Sequence, residues 1–157
     1  MTRPVQIPLI GASAGSERHL ICDGRGVPLA VRLTGANRND SQEALALVDA
    51  ILPLQGERGR SRRRPDCVVG DRGYDAEAIR SGLRTRGILP LLAMRRTKHG
   101  SGLGTWRWVV ERTFAWFNQF RRLRVRYDKR ADIHGAFLSL GCALICWQSL
   151  RRTWRTA

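Results

Sequence analysis

The chain has 157 residues, of which 43% are hydrophobic and 26% charged, with a net charge of +15. That length suits one domain with its own core, and the apolar share excludes a disordered chain. Lys98 and Lys129 are the only lysines, so the excess is arginine, and clustered arginine favours a polyanionic partner, nucleic acid before anionic membrane, over a plain basic protein without a ligand.

Cys22, Cys67, Cys142 and Cys146 form no CxxC pair and no zinc spacing, which leaves free core thiols in a reducing cytoplasm as the expectation. Cys142 and Cys146, four apart in an apolar run, are expected to share one face of a buried helix. The longest apolar stretch, Ala136 to Trp147, is shorter than the roughly 18 residues of a spanning helix, and the first residues have too short an apolar run for a signal peptide. No membrane segment is expected.

In chain order, Arg18 to Cys22 reads as a strand, Asp23 to Gly26 as a turn, and Val27 to Leu33 as a returning strand. The loop Thr34 to Asp40 precedes a helix capped by Asp40 or Ser41, with Ala44, Leu45, Leu47, Val48, Ile51 and Leu52 on its apolar face. Gln55 to Pro65 is a basic loop. Cys67 to Gly70 is a short continuous apolar run, as in a strand buried on both faces, and Asp71 stands at its end. Asp75 is expected to cap a helix through Thr85, with Ala78, Ile79 and Leu83 inward and Gly87 stopping it. Ile88 to Met94 reads as a strand and Arg95 to Thr105 as a basic loop. A helix follows from Trp106 to about Arg122, on which Trp106, Val109, Val110, Phe114, Phe117 and Phe120 form a stripe. A last, strongly apolar helix, about Asp132 to Arg152, is expected to pack on the core. This order predicts a mixed α/β layer fold.

Two carboxylates stand out by position. Asp71 lies at the C-terminal end of a buried strand, where α/β folds build their sites, and Glu111 lies at the border of a helix's apolar stripe. Carboxylates converging on two Mg²⁺ ions about 4 Å apart are the needs of two-metal phosphoryl transfer. Hard oxygen ligands without a cysteine or histidine cluster suit Mg²⁺ or Mn²⁺ rather than zinc. Position alone leaves the plainer alternative open, a capping Asp and a solvated Glu. His19, His99 and His134 are scattered and read as structural or exposed.

DRGYD at Asp71 to Asp75, with WRWVVERTFAWFNQFRRLRVRYDK from Trp106 to Lys129, resembles the insertion-sequence DDE transposases of the IS-five class. RHLICDGRGVPLAVRLTGANRNDSQ, from Arg18 to Gln42, is similar to the segment after their first catalytic strand. The resemblance implies an RNase H-like mixed sheet flanked by helices, with Asp, Asp and Glu binding two Mg²⁺ (or Mn²⁺) ions and DNA as substrate. By motif, Asp71 is the second Asp, Glu111 the Glu, and Arg107 the arginine that positions a phosphate. The signature tyrosine falls at Gly104 and the lysine at Asn118.

The first catalytic Asp is expected on a strand upstream of Arg18, yet no Asp or Glu precedes Glu17. The expectation is therefore a catalytic domain over residues 16–152 that lacks its first strand and with it a sheet partner. Residues 1–15 are unmatched and 153–157 form a basic tail. Gln6 to Ile10 is strand-like but offers no carboxylate, and Asp23 sits in the wrong place to substitute. Asp75 is read as a helix cap. Arg95, Arg96, Arg121, Arg122, Arg124 and Arg126 are expected to contact DNA phosphates, and Trp108 an unpaired base. The expected function is that of a truncated, catalytically incomplete transposase at nucleoid DNA, with self-association open. The alternative is a non-catalytic basic DNA-binding protein that interferes with an intact enzyme.

Overall fold

The computed structural model describes residues 5–7, 9–13, 16–35, 40–54, 61–96 and 104–155, with side chains placed over 17–35, 43–54, 61–96 and 108–155. His99, the loop residues 97–103 and the side chains of Trp106 and Arg107 lie outside the described residues.

Six strands form one mixed sheet: β1 (Val5–Ile7), β2 (Leu9–Ser13), β3 (Ser16–Cys22), β4 (Pro28–Gly35), β5 (Cys67–Gly70) and β6 (Leu89–Leu92). β1 and β2 follow one another along the same edge of β3, Gln6 opposite Cys22 and Leu9 opposite His19. They act as one interrupted ribbon. The sheet runs β4, β3, β1/β2, β5, β6, and β3 alone runs against the rest.

The expectation of a missing first strand is corrected here. β1 occupies the place between β3 and β5, pairing antiparallel with one and parallel with the other, and β2 extends the pairing along β3 alone. The ribbon's sequence carries few strand signals beyond scattered apolar residues. Open hydrogen-bonding edges on both neighbours are what order such a segment.

Helices cover both faces. α1 (Asp40–Asp49) and α2 (Glu77–Thr85) lie on one side, and α3 (Gly104–Gln119), α4 (Arg121–Arg124) and α5 (Ala131–Trp154) on the other. Strand alternation divides the core: Ile21 and Val68 join Leu47, Ile79 and Leu83 beneath α1 and α2, whereas Leu20 joins Phe117, Leu123, Leu138 and Ile145 beneath α3 to α5. The buried Glu43 of α1 receives the Arg32 guanidinium of β4 at 2.8 Å, pinning the helix to the sheet edge.

Gly26 turns β3 into β4 at φ +85°, which a side chain rarely adopts. Its carbonyl accepts from the Thr113 hydroxyl of α3 at 2.8 Å, and a Cβ there would stand 2.8 Å from that oxygen. The hairpin is thus pressed against α3 two residues from Glu111.

Several local expectations need correction. The helix expected to run from Trp106 to about Arg122 starts at Gly104 and stops at Gln119, with α4 a separate turn after Phe120. Ala78 is exposed. Cys142 and Cys146 are half-buried, though burial still raises both thiols, Cys142 to about 12, as it does Cys22. They behave as inert free thiols. α5 buries only one face, His134, Leu138, Gly141 and Ile145.

His134 is fully buried with neither ring nitrogen hydrogen-bonded among the described residues. Desolvation, then the Arg18 and Arg126 charges, lower its pKa below 6.5. The unfolded chain therefore binds this proton more readily than the fold does, so stability rises with pH across the window. We expect stability to fall as pH drops through about 6.5, and His134→Leu to flatten that slope in urea titrations at pH 5 and 7. An equal slope in the variant would remove His134 as the cause.

Candidate active site and nucleic-acid interface

Asp71 follows the last residue of β5, where a strand buried on both faces delivers it to the sheet's end. It caps a single 3-10 turn, Arg72–Tyr74, accepting from the Gly73 amide at 2.9 Å, and its side chain is exposed. That turn is held from outside. The Arg95 guanidinium donates to the Arg72 and Gly73 carbonyls at 2.9 and 3.1 Å. Asp75 accepts from the Arg95 amide at 2.5 Å and from Arg80 at 2.7 Å, and Arg80 reaches on to the Leu92 carbonyl at 3.0 Å.

The Arg95 amide, then Arg80, hold the Asp75 carboxyl below the usual carboxylate range. Asp75 therefore does not cap α2 as expected: Ala76 holds the cap position without a side-chain bond. The carboxylate is engaged instead by two partners that sequence distance hides. The network ties the loop bearing Asp71 to α2 and to the end of β6.

We expect Asp75→Ala to speed hydrogen exchange at the Arg95 amide about tenfold or more, since its bond to a charged acceptor vanishes, and at the Gly73 amide by less, through the loosened Arg95. Unchanged exchange would mean the turn holds itself.

Glu111 lies on the exposed side of α3, and α3 packs against β1. Arg107, one turn earlier, is on the same helix. Asp71 thus follows the strand that neighbours β1, and Glu111 stands on the helix that packs against β1. In register, Gln6 pairs with Val69, two residues before Asp71. No residue of Val5–Ser13 is acidic. Among the described residues no group of three or more His, Cys, Asp or Glu side chains could hold a metal ion.

The arginines expected at DNA are unequally placed. Arg95 spends its guanidinium on the Asp71 turn, and Arg96 is exposed at φ +63°. Arg122 pairs with Asp128 at 3.3 Å and lies over the Phe137 ring, Arg121 over Tyr127, and Arg126 donates to the Asp128 and Lys129 carbonyls. Arg124 is exposed.

A second basic surface was missed by sequence reading. A groove of about 440 Å³ runs between the Gly24–Arg25 turn, α3 and α5, where Trp108, Arg112, Trp116 and Arg152 line it with no acidic residue. The Arg112 guanidinium lies 4.1 Å from the Trp108 ring centroid, and Trp108 is 46% exposed. The signal was the spacing of Trp108, Arg112 and Trp116, which places them on one helical face. Arg25 and Arg152 come from distant segments that spacing cannot join.

The transposase DDE domain family profile matches residues 11–146. A Burkholderia cepacia protein named as transposase for insertion sequence element IS402 is 59% identical over 145 residues, spanning 92% of this chain and 69% of that protein. Among solved structures, a chain of the simian T-cell lymphotropic virus intasome superposes with TM-score 0.55 at 15% identity, covering 90% of this chain and 47% of that one. The catalytic core domain of BIV integrase gives TM-score 0.55 at 12% identity, covering 90% and 82%. The likeness to integrase cores establishes the RNase H-like fold expected from the motifs.

Proposed function

We propose that this chain, which belongs to the transposase DDE domain family, keeps its family's hold on DNA but not a complete catalytic acid set. The observation that carries this reading is the ribbon Val5–Ser13. It fills the strand place beside Asp71 and contains no carboxylate. Within the family we place the chain in the IS-five class, on the DRGYD and WRWVVERTF blocks.

Asp71 and Glu111 would be the metal ligands, and their hard oxygens suit Mg²⁺ or Mn²⁺. When bound, such an ion lowers the pKa of a nucleophile and neutralises charge on a phosphodiester. Two carboxylates suffice for one weakly held ion, not for the pair. The remaining roles belong to the chain's own side chains. Arg95, Arg80 and Asp75 hold the Asp71 turn, Arg107 would position a phosphate, and Trp108 with Arg25, Arg112 and Arg152 would grip a strand through stacking and phosphate contacts. The protein would act in the cytoplasm, on element ends in nucleoid DNA.

Binding and cleavage separate the readings. DNA affinity is expected to fall steeply with salt, roughly a thousandfold between 50 and 200 mM for about six phosphate contacts, and to survive EDTA. Arg25→Ala with Arg112→Ala should weaken it about tenfold, and Arg121→Ala with Arg122→Ala less, because the latter pair is already engaged within the chain. Purified protein is expected not to nick supercoiled plasmid in Mn²⁺. Nicking that disappears in Asp71→Ala would overturn the incomplete-site reading, and nicking untouched by both Asp71→Ala and Glu111→Ala would overturn the residue assignment.

A further inference from the structure

We propose that a second copy of this chain docks on the outer face of α5, forming an antiparallel helix pair about a two-fold axis. The helix has two apolar faces on roughly opposite sides. The inner one, His134, Leu138, Gly141 and Ile145, is buried in the core. On the outer one Ile133, Leu140, Trp147 and Trp154 recur every seven residues and are 40%, 55%, 51% and 65% exposed. Ala136, Ala143 and Leu150 follow the first three at three residues' distance and are exposed as well. Apolar positions alternating at three and four over three heptads are the seam of a two-stranded coiled coil. Leu144 widens it, 40% exposed beside Ala143.

Charge selects this face further. Residues 133–150 contain no Asp, Glu, Lys or Arg, in a chain that is 26% charged. Charge depleted at the centre and restored at the rim is the anatomy of an interface. Here the rim is Arg130 and Asp132 at one end of the helix and Arg151, Arg152 and Arg155 at the other. A parallel pair would set the arginine ends of both copies together. An antiparallel pair separates the two arginine ends, setting each beside the other copy's Arg130–Asp132 ion pair, which is neutral as a unit, and opposes the two helix dipoles. The small side chains of Ala136 and Ala143 let the axes approach. Each copy offers roughly 600 Å² of apolar surface on this face, so a pair buries on the order of 1,200 Å², enough for a specific interface.

A lipid bilayer is the rival occupant, since α5 is long and apolar enough to span one. Its inner face is committed to the core beneath Phe117 and Leu123, which a spanning helix would abandon. Nothing in the pairing depends on the metal ligands or on DNA.

Sedimentation equilibrium of the purified chain at micromolar concentration, without DNA, is expected to give twice the chain mass. Leu140→Glu with Trp147→Glu should halve it while leaving the helical circular dichroism unchanged. Should that variant fail to fold, single cysteines decide. Ala143→Cys, at the centre of the seam, is expected to oxidise to a disulfide-linked dimer, whereas Ile133→Cys, about 30 Å from its equivalent in an antiparallel pair, is not. A monomeric parent chain, a dimer that survives the charged substitutions, Ile133→Cys linking as readily as Ala143→Cys, or monomers that co-sediment with phosphatidylcholine vesicles would each overturn the proposal.

Discussion

Gln6→Asp is expected to raise Mn²⁺ affinity and to produce plasmid nicking that the parent chain lacks. Gln6 stands in register with Val69, two residues before Asp71, on the strand that α3 packs against. A carboxylate there is expected to add a third hard ligand to the two proposed at Asp71 and Glu111. Metal affinity rises with the number of converging carboxylates, so three acids are expected to hold an ion more tightly than two. The comparison needs Gln6→Asp with Asp71→Ala beside it, because nicking that depends on both acids marks a shared site. Calorimetric titration with Mn²⁺ reads the same change without turnover. Metal affinity identical to the parent chain would show that this register does not bring the strand to the metal position.

Phe117→Ala is expected to cost about 3–5 kcal/mol, a large share of the roughly 5–15 kcal/mol that holds a domain together. Phe117 is 1% exposed, at the junction where α3, α4 and α5 meet the sheet. Its ring lies 3.4 Å from where a Cβ on Gly141 would stand, so α5 closes directly onto it. Deleting the ring leaves a cavity that the rigid β3 and β4 ribbons cannot collapse into. Leu52→Ala, at a side chain 72% exposed, should shift the urea midpoint little by comparison. Equal shifts for the two would mean that the α3–α5 layer contributes nothing to global stability.

How far the sequence could be read depended on whether the cause of each feature was local. The run Cys67–Gly70 announced a buried strand because all four residues are apolar or small, and the hairpin around Asp23–Gly26 announced itself by its turn residues. Both stand as expected. The DRGYD and WRWVVERTF blocks pointed to Asp71 and Glu111, although only the fold shows that their elements, β5 and α3, both adjoin β1. Val5–Ser13 was legible as strand-like but not as part of the sheet, since its pairing comes from β3 and β5 rather than from its own composition. Asp75 was misread for the same reason. Its capping propensity is intrinsic, but Arg80 and Arg95 offer charged and backbone donors that a chain-order reading cannot see. The groove at Trp108 escaped because three distant segments build it, and the outer face of α5 because a helix apolar all round reads as wholly buried.

The position of Val5–Ser13 separates two properties that usually decay together. Its first part, β1, has partners on both sides and is shaped by them, so many apolar sequences can occupy it and leave the architecture standing. The one acid that chemistry would require there answers to no such demand. A chain can therefore lack an acid at that ribbon and still reach the same folded architecture. Cellular triage follows the unfolded fraction, so it would be blind to that difference.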